Sequence, residues 1–350
     1  MTTVLDSLNT GLHQAFASDE RVYLLGEDVL DPYGGAFKVT RGLSSAYPGR
    51  VLTTPISEGG FTGLAAGMAL RGLRPVVEIM FGDFVTLAAD QLINHISKFG
   101  WMYGGNKEPN EQPHVPLVIR TPMGGRRGYG PTHSQTLEKL FLGIPGLRVQ
   151  APACFQTDGD GVLPPGCPGD LLCRSILTST DPTLFIENKL LYLLPVYGPG
   201  KLDDFSLRTD PNPWTYTLEV KGAPPPQVTL AAYGYMAELA RQATRQLAFE
   251  KEIFCELVVP TQLSPFEIEP VLASVRKTGR LVTIEEGTFS LGWGAEIIAR
   301  TSEVLGSRLR AARRVAARDL PVPASRPLEE AVLPGVEDIV ATVAVMVSTS

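Results

Sequence analysis

Residues 51–70 read Val51-Leu-Thr-Thr-Pro-Ile-Ser-Glu-Gly-Gly-Phe-Thr-Gly-Leu-Ala-Ala-Gly-Met-Ala-Leu70, and their pattern changes period once. The first four residues suit a short strand. Pro55 ends it, Ser57 can cap a helix, and Phe61, Leu64, Ala65 and Met68 recur at helical spacing. A strand passing through a short loop into a helix is half of a βαβ unit. The alternation continues on both sides. Upstream, Val4, Leu5, Leu8, Leu12, Ala15 and Phe16 form a helical stripe, and Val22-Tyr-Leu-Leu25 is an apolar run closed by Gly26. Downstream come a strand at 75–80, a helix from about 83 to 99, a strand at 115–120, a glycine-rich loop and a helix near 137–142. Strands at 147–150 and 183–187 complete the series. Strands alternating with helices predict a parallel sheet covered on both faces, so residues 1–194 read as one α/β domain.

Between 195 and 226 the texture changes. Seven prolines and no sustained period predict a linker. Strands then fit 227–232, 253–259 and 280–284, with helices at 236–249, 267–277 and 293–305. Residues 227–350 thus read as a second α/β domain, giving two open parallel-sheet domains. Residues 156–170 hold four glycines and three prolines and read as an insertion.

Composition narrows the function. The 350 residues are 44% apolar and 19% charged, enough to bury two cores. Thirty-one basic against 37 acidic residues leave a net charge of −6, which lacks the electrostatic footprint of a nucleic-acid or anionic-membrane binder. No apolar run reaches the length of a membrane-spanning helix. The N-terminus lacks a basic leader, and the four cysteines lack C-x-x-C spacing, so a cytoplasmic protein with reduced thiols is expected.

In an open parallel sheet, ligands bind at the carboxyl ends of the strands. Three loops leaving such ends carry functional residues: Thr54-Pro-Ile-Ser-Glu58, Phe81-Gly-Asp-Phe84, and Pro122 through His133 to Gln135. A carboxylate, an aromatic ring and a histidine should therefore approach one edge. Spacing alone leaves the plain readings open: Glu58 answering a helix dipole, Phe84 in the core.

Seven collinear motifs go further. Leu25-Gly-Glu-Asp-Val29, Tyr33-Gly-Gly-Ala-Phe-Lys-Val-Thr40, Thr54 to Gly63, Gly72 to Glu78, Thr132-His-Ser-Gln135, Ile144 to Val149 and Lys277 to Glu286 span most of the chain. Together they resemble the β subunit of the decarboxylating component of 2-oxoacid (pyruvate or branched-chain) or acetoin dehydrogenase complexes, a transketolase-like thiamine diphosphate family. The resemblance implies a pyrimidine-binding domain followed by a C-terminal transketolase domain. It implies that Glu58 hydrogen-bonds the ring nitrogen N1′ of the cofactor's aminopyrimidine, that Phe84 and Ile56 contact that ring, and that His133 serves the substrate carboxylate and proton transfer. It further implies an α-type partner holding the diphosphate and Mg2+ in an α2β2 heterotetramer, a lipoyl acyltransferase beyond it, and a structural K+ site around Leu117 and the Ile176–Asp181 turn.

The chain departs from the pattern in places. Val259-Pro-Thr-Gln-Leu263 replaces a usual Asp-Leu-Arg, Ser179 stands where the potassium turn has an acid, and Arg126 and Arg127 make the His133 loop basic, as would suit an anionic substrate or acidic partner. Gly159-Asp-Gly161, separated from Asn188 by 26 residues, imitates the diphosphate–magnesium motif but sits in the insertion and reads as coincidence. Two further readings stand beside the first. One is a carboligase or aldehyde transferase using the same cofactor without lipoamide; the other is a non-catalytic assembly subunit.

Overall fold

The computed structural model of the chain describes residues 2–104, 113–159, 161–202, 204–211 and 214–348. Its first half contains β1 (Val22–Gly26), β2 (Val51–Thr53), β3 (Arg74–Glu78), β4 (Val118–Met123), β5 (Arg148–Gln150) and β6 (Thr183–Asn188), with helices α1 (Val4–Ser18), α2 (Leu43–Ala46), α3 (Glu58–Leu70), α4 (Phe99–Gly104) and α5 (Pro168–Thr178). The second half contains β7 (Phe205–Pro211), β8 (Trp214–Val220), β9 (Val228–Ala232), β10 (Cys255–Pro260), β11 (Gln262–Ser264), β12 (Arg280–Thr288) and β13 (Ala311–Ala317). Its helices are α6 (Gly234–Lys251), α7 (Glu269–Thr278), α8 (Trp293–Leu305), α9 (Arg326–Val332) and α10 (Val336–Ser348).

The first sheet runs β11-β5-β6-β4-β3-β1-β2 and the second β13-β12-β9-β10-β8-β7. Strands β2, β1, β3, β4, β6 and β5 are mutually parallel, so their carboxyl ends share one edge. Strands β3, β4 and β6 are almost wholly buried, as a sheet covered on both faces requires. The two-domain α/β expectation is met, with two corrections.

The expected linker is partly sheet. Residues 205–211 and 214–220 form an antiparallel hairpin that pairs with β10 along the second sheet's edge. Its prolines interrupt only strand ends and the edge, where a missing N–H costs no ladder bond. The second correction is β11, a strand from the C-terminal half that pairs antiparallel with β5 of the first sheet. The departure at 259–263 lies here: Gln262 accepts from Arg148 Nη1 at 3.2 Å and donates to the Pro265 carbonyl at 2.7 Å, stitching the halves together.

Two helical expectations also change. The stretch 83–99 is not one α-helix but 3-10 turns at Gly82–Ala88 and Ile96–Lys98 around a π turn at Gln91–His95. Contrary to the reading of apolar runs, Arg326–Ser348 has the length and mean hydropathy of a membrane span. It is broken at Leu333-Pro-Gly335, and α10 packs on α6 and β13 with Ile339, Val340, Val343 and Met346 buried. All four cysteines are free and buried.

Candidate functional site

Five consecutive loops leave the shared edge. β1 ends at Gly26 and delivers Glu27; β2 delivers Ile56 to Glu58; β3 delivers Phe81 to Phe84; β4 delivers the loop from Gly124 to His133; β6 delivers Lys189. Glu58 opens α3 after Ser57 and is only 5% exposed. No described residue hydrogen-bonds to its carboxylate. Glu27 is buried beside it, and burial, with the charge of Glu58 second, pushes the Glu27 carboxyl upward. Ile56, just before the cap, is 83% exposed.

Phe84 and His133 meet directly, ring edge to face, with centroids 5.1 Å apart; Phe81 lies 4.8 Å from the same imidazole. Thr132 Oγ1 is 2.9 Å from His133 Nδ1. The described contacts place Glu58 beside Glu27 and do not join it to the Phe84–His133 pair. Beneath the loop lies Lys189, with no exposed surface. Its Nζ donates to the His133 carbonyl and stands 5.3 Å from the ring centroids of both Phe81 and Tyr129. Burial draws this ammonium down to about 8. Asp83 is pushed the other way by burial and accepts weakly from Gln135 N at 3.4 Å.

Buried charges brace the edge from behind. Arg120 of β4 is fully buried between Glu78 of β3 and Glu187 of β6, and Tyr192 donates to Glu187 at 2.7 Å. From the second domain, one oxygen of Glu286 accepts from Gly125 N at 2.7 Å and Thr136 Oγ1 at 3.1 Å, closing both ends of the histidine loop. The arginines of that loop are engaged rather than presented. The Arg126 backbone N–H donates to Glu329 at 2.6 Å, its guanidinium to Pro334 O at 2.5 Å, and Arg127 to Lys189 O at 3.3 Å.

Residues 2–155 match the family model for the transketolase pyrimidine-binding domain, and residues 219–339 match that for the transketolase C-terminal domain. The chain is 37% identical over 342 residues to pyruvate dehydrogenase E1 component subunit beta-1, mitochondrial, of Arabidopsis thaliana, covering 97% of this chain and 87% of that protein. The chain belongs to the pyruvate dehydrogenase E1 β-subunit family. The corresponding β subunit of Rickettsia bellii is 34% identical, covering 97% of this chain and 96% of its own length, and the human mitochondrial one is 35% identical, covering 97% and 88%. Among solved structures, a split-gene transketolase described as an inactive β4 tetramer aligns over 98% of each chain, with a TM-score of 0.72 and 21% identity; this likeness shows the fold.

Within this E1 β-type chain the expected potassium turn does not fit an ion. Arg74 Nη1 donates to the carbonyls of Ile176 and Ser179 at 2.8 and 3.2 Å, so a second cation there would meet a guanidinium. Leu117 O accepts from Thr183 N at 2.8 Å, and Asp181 O accepts from Ser179 Oγ at 2.8 Å. The magnesium-like motif is not reassembled either. Asn188 is held at 3.5 Å from Glu286, Gly159 packs on Pro165, and the motif's aspartate lies outside the described residues. Sequence reasoning missed Lys189, Asp83, Phe81 and Glu286 as parts of the site. Lys189 had one available signal: a lysine directly after the strand Thr183–Asn188 stands on the ligand edge.

Proposed function

We propose that this chain is the β subunit of a thiamine diphosphate-dependent 2-oxoacid dehydrogenase component, and that its carboxyl-end loops receive the cofactor's aminopyrimidine. The observation that carries the reading is that Glu27, Glu58, Phe84 and His133 lie on loops leaving one sheet edge, in a chain of this family. When bound, thiamine diphosphate supplies the carbanion stabilisation that decarboxylation of a 2-oxo acid needs. Glu58 suits the ring nitrogen: its carboxylate is buried and is claimed by no donor among the described residues, so it is available to a ligand. Phe84 offers a flat apolar face for the heteroaromatic ring. Ile56 would join that contact once a partner covers it. His133, in a glycine-rich loop, is the group for the substrate carboxylate and for proton transfer.

Pyruvate is the first substrate to test, because the relatives' names specify it, with branched-chain 2-oxo acids and acetoin beside it. The described residues hold no cluster of three or more His, Cys, Asp or Glu that could take a metal, so this reading assigns the Mg2+ ligands to the α-type partner. It assigns no K+ to this chain. A lipoyl acyltransferase is the acceptor to supply in the assay.

The test is Glu58→Gln in the complex with its α-type partner. The amide keeps the shape but cannot exchange a proton with the ring nitrogen, so turnover should fall by about a hundredfold or more while assembly is unchanged. Wild-type turnover in that variant would sink the assignment.

A further inference from the structure

The His133 loop is fixed at both ends by Glu286, but those contacts say nothing about the middle, where the imidazole stands. There Lys189 donates to the His133 carbonyl from below, its own backbone tied to β4 by its N–H to Met123 O at 3.0 Å. A lysine with no exposed surface is costly to bury unless its charge is used. Its Nζ is used twice: on the His133 carbonyl, and against the faces of Phe81 and Tyr129, the first of which packs on the imidazole. Displacing the ammonium would therefore move His133 through its backbone and through its aromatic wall together.

We propose that Lys189 is a positioning residue for this site, setting where the His133 ring stands through the His133 carbonyl and the Phe81 ring. The inference rests on the role given to His133 above. The charged groups around Lys189 are Asp83 on the turn after β3, Glu286 on β12, Glu329 on α9 and Arg127 on the histidine loop, besides His133. Three acids against one arginine keep the ammonium charged at neutral pH despite its burial. Above about pH 8 it becomes neutral and donates a weaker bond.

Two variants test this, Lys189→Met and Lys189→Arg, each in the complex with the α-type partner. The readout independent of activity is the imidazole C2–H resonance of His133, assigned with a His133→Ala control. Because Phe81 and Phe84 lie within about 5 Å of the ring, their ring currents report its place. The methionine variant should move that resonance toward the solvent-exposed value and lower kcat at least tenfold, with cofactor affinity within twofold of wild type. The arginine variant should retain most of both. In wild type the resonance should show a step near pH 8 as Lys189 loses its charge, absent from the arginine variant. An unmoved resonance in a folded Lys189→Met overturns the proposal. If that variant fails to fold, a wild-type resonance with no step near pH 8 overturns it instead. A resonance that moves while turnover stays unchanged supports the anchoring and overturns the role of His133.

Discussion

Glu285 shows how a single side chain can oppose the fold it belongs to. It is wholly buried on β12, accepts from Gly294 N at 2.9 Å, and its second oxygen accepts no hydrogen bond from the described residues. Burial, then the charge of Glu138, raises its carboxyl to about 7. An unfolded chain releases this proton near 4.5, so between those values the folded state binds more protons and stability falls as pH rises. By pH 8 the cost is on the order of 3 kcal/mol at most. Glu285→Gln keeps the bond to Gly294 and removes the charge. Its melting temperature relative to wild type should climb from pH 5 to pH 8; a pH-independent offset would refute the account. Lys189 gives the mirror case. Its folded value near 8 lies below the unfolded 10.5, so its contribution to stability grows from pH 8 toward 10.5 and should be missing from Lys189→Met. At this scale the sequence showed what strand-end position alone can show. Glu58, Phe84 and His133 lie in loops that leave strand ends, whereas the burial of Lys189 and Glu286 depends on a loop and a second domain folding over them.

Among the elements, the turn after α5 shows the chain supplying its own cation. Arg74 begins β3 and reaches carbonyls of Ile176 and Ser179, joining a central strand to the helix that packs across the sheet. Arg74→Met should cost about 1–3 kcal/mol, because two half-buried carbonyls lose a charged donor. Wild type should melt at the same temperature in potassium chloride and in choline chloride of equal ionic strength. A potassium-specific rise in wild type would show that the ion binds beside the guanidinium after all. The hairpin of β7 and β8 was illegible for a related reason of context. Trp214-Thr-Tyr-Thr-Leu-Glu-Val220 alternates well, but it lies among prolines that usually mark loops, and only pairing with β10 tells an edge strand from a linker. The central strands needed no such context, since each is a short apolar run between turn residues.

At the scale of the whole molecule, one face of α3 meets little of the chain it belongs to. A Cβ built at Gly67 touches nothing within 4 Å, and one at Gly63 meets only the Gln91 side chain, so these glycines are not there for packing against the chain's own sheet. Around them Leu64 is 57% exposed, Leu87 62% and Ile56 83%, an apolar surface beside the mouth of the site. Exposed apolar patches of this kind mark association surfaces. A glycine in the interior of a free helix costs about 1 kcal/mol against alanine, which a close approach of another backbone can offset. Gly67→Leu should therefore leave the isolated chain as stable as wild type or slightly more so, and should block assembly with the α-type partner. Light scattering of the co-expressed pair and melting of the single chain measure the two effects separately. The unmodified chain alone should form at most a homodimer and show no decarboxylase turnover until the partner is added. Full activity from the chain alone would mean that the diphosphate half of the site lies within it. Normal assembly of Gly67→Leu would mean that the partner docks elsewhere, leaving the open face of α3 unexplained.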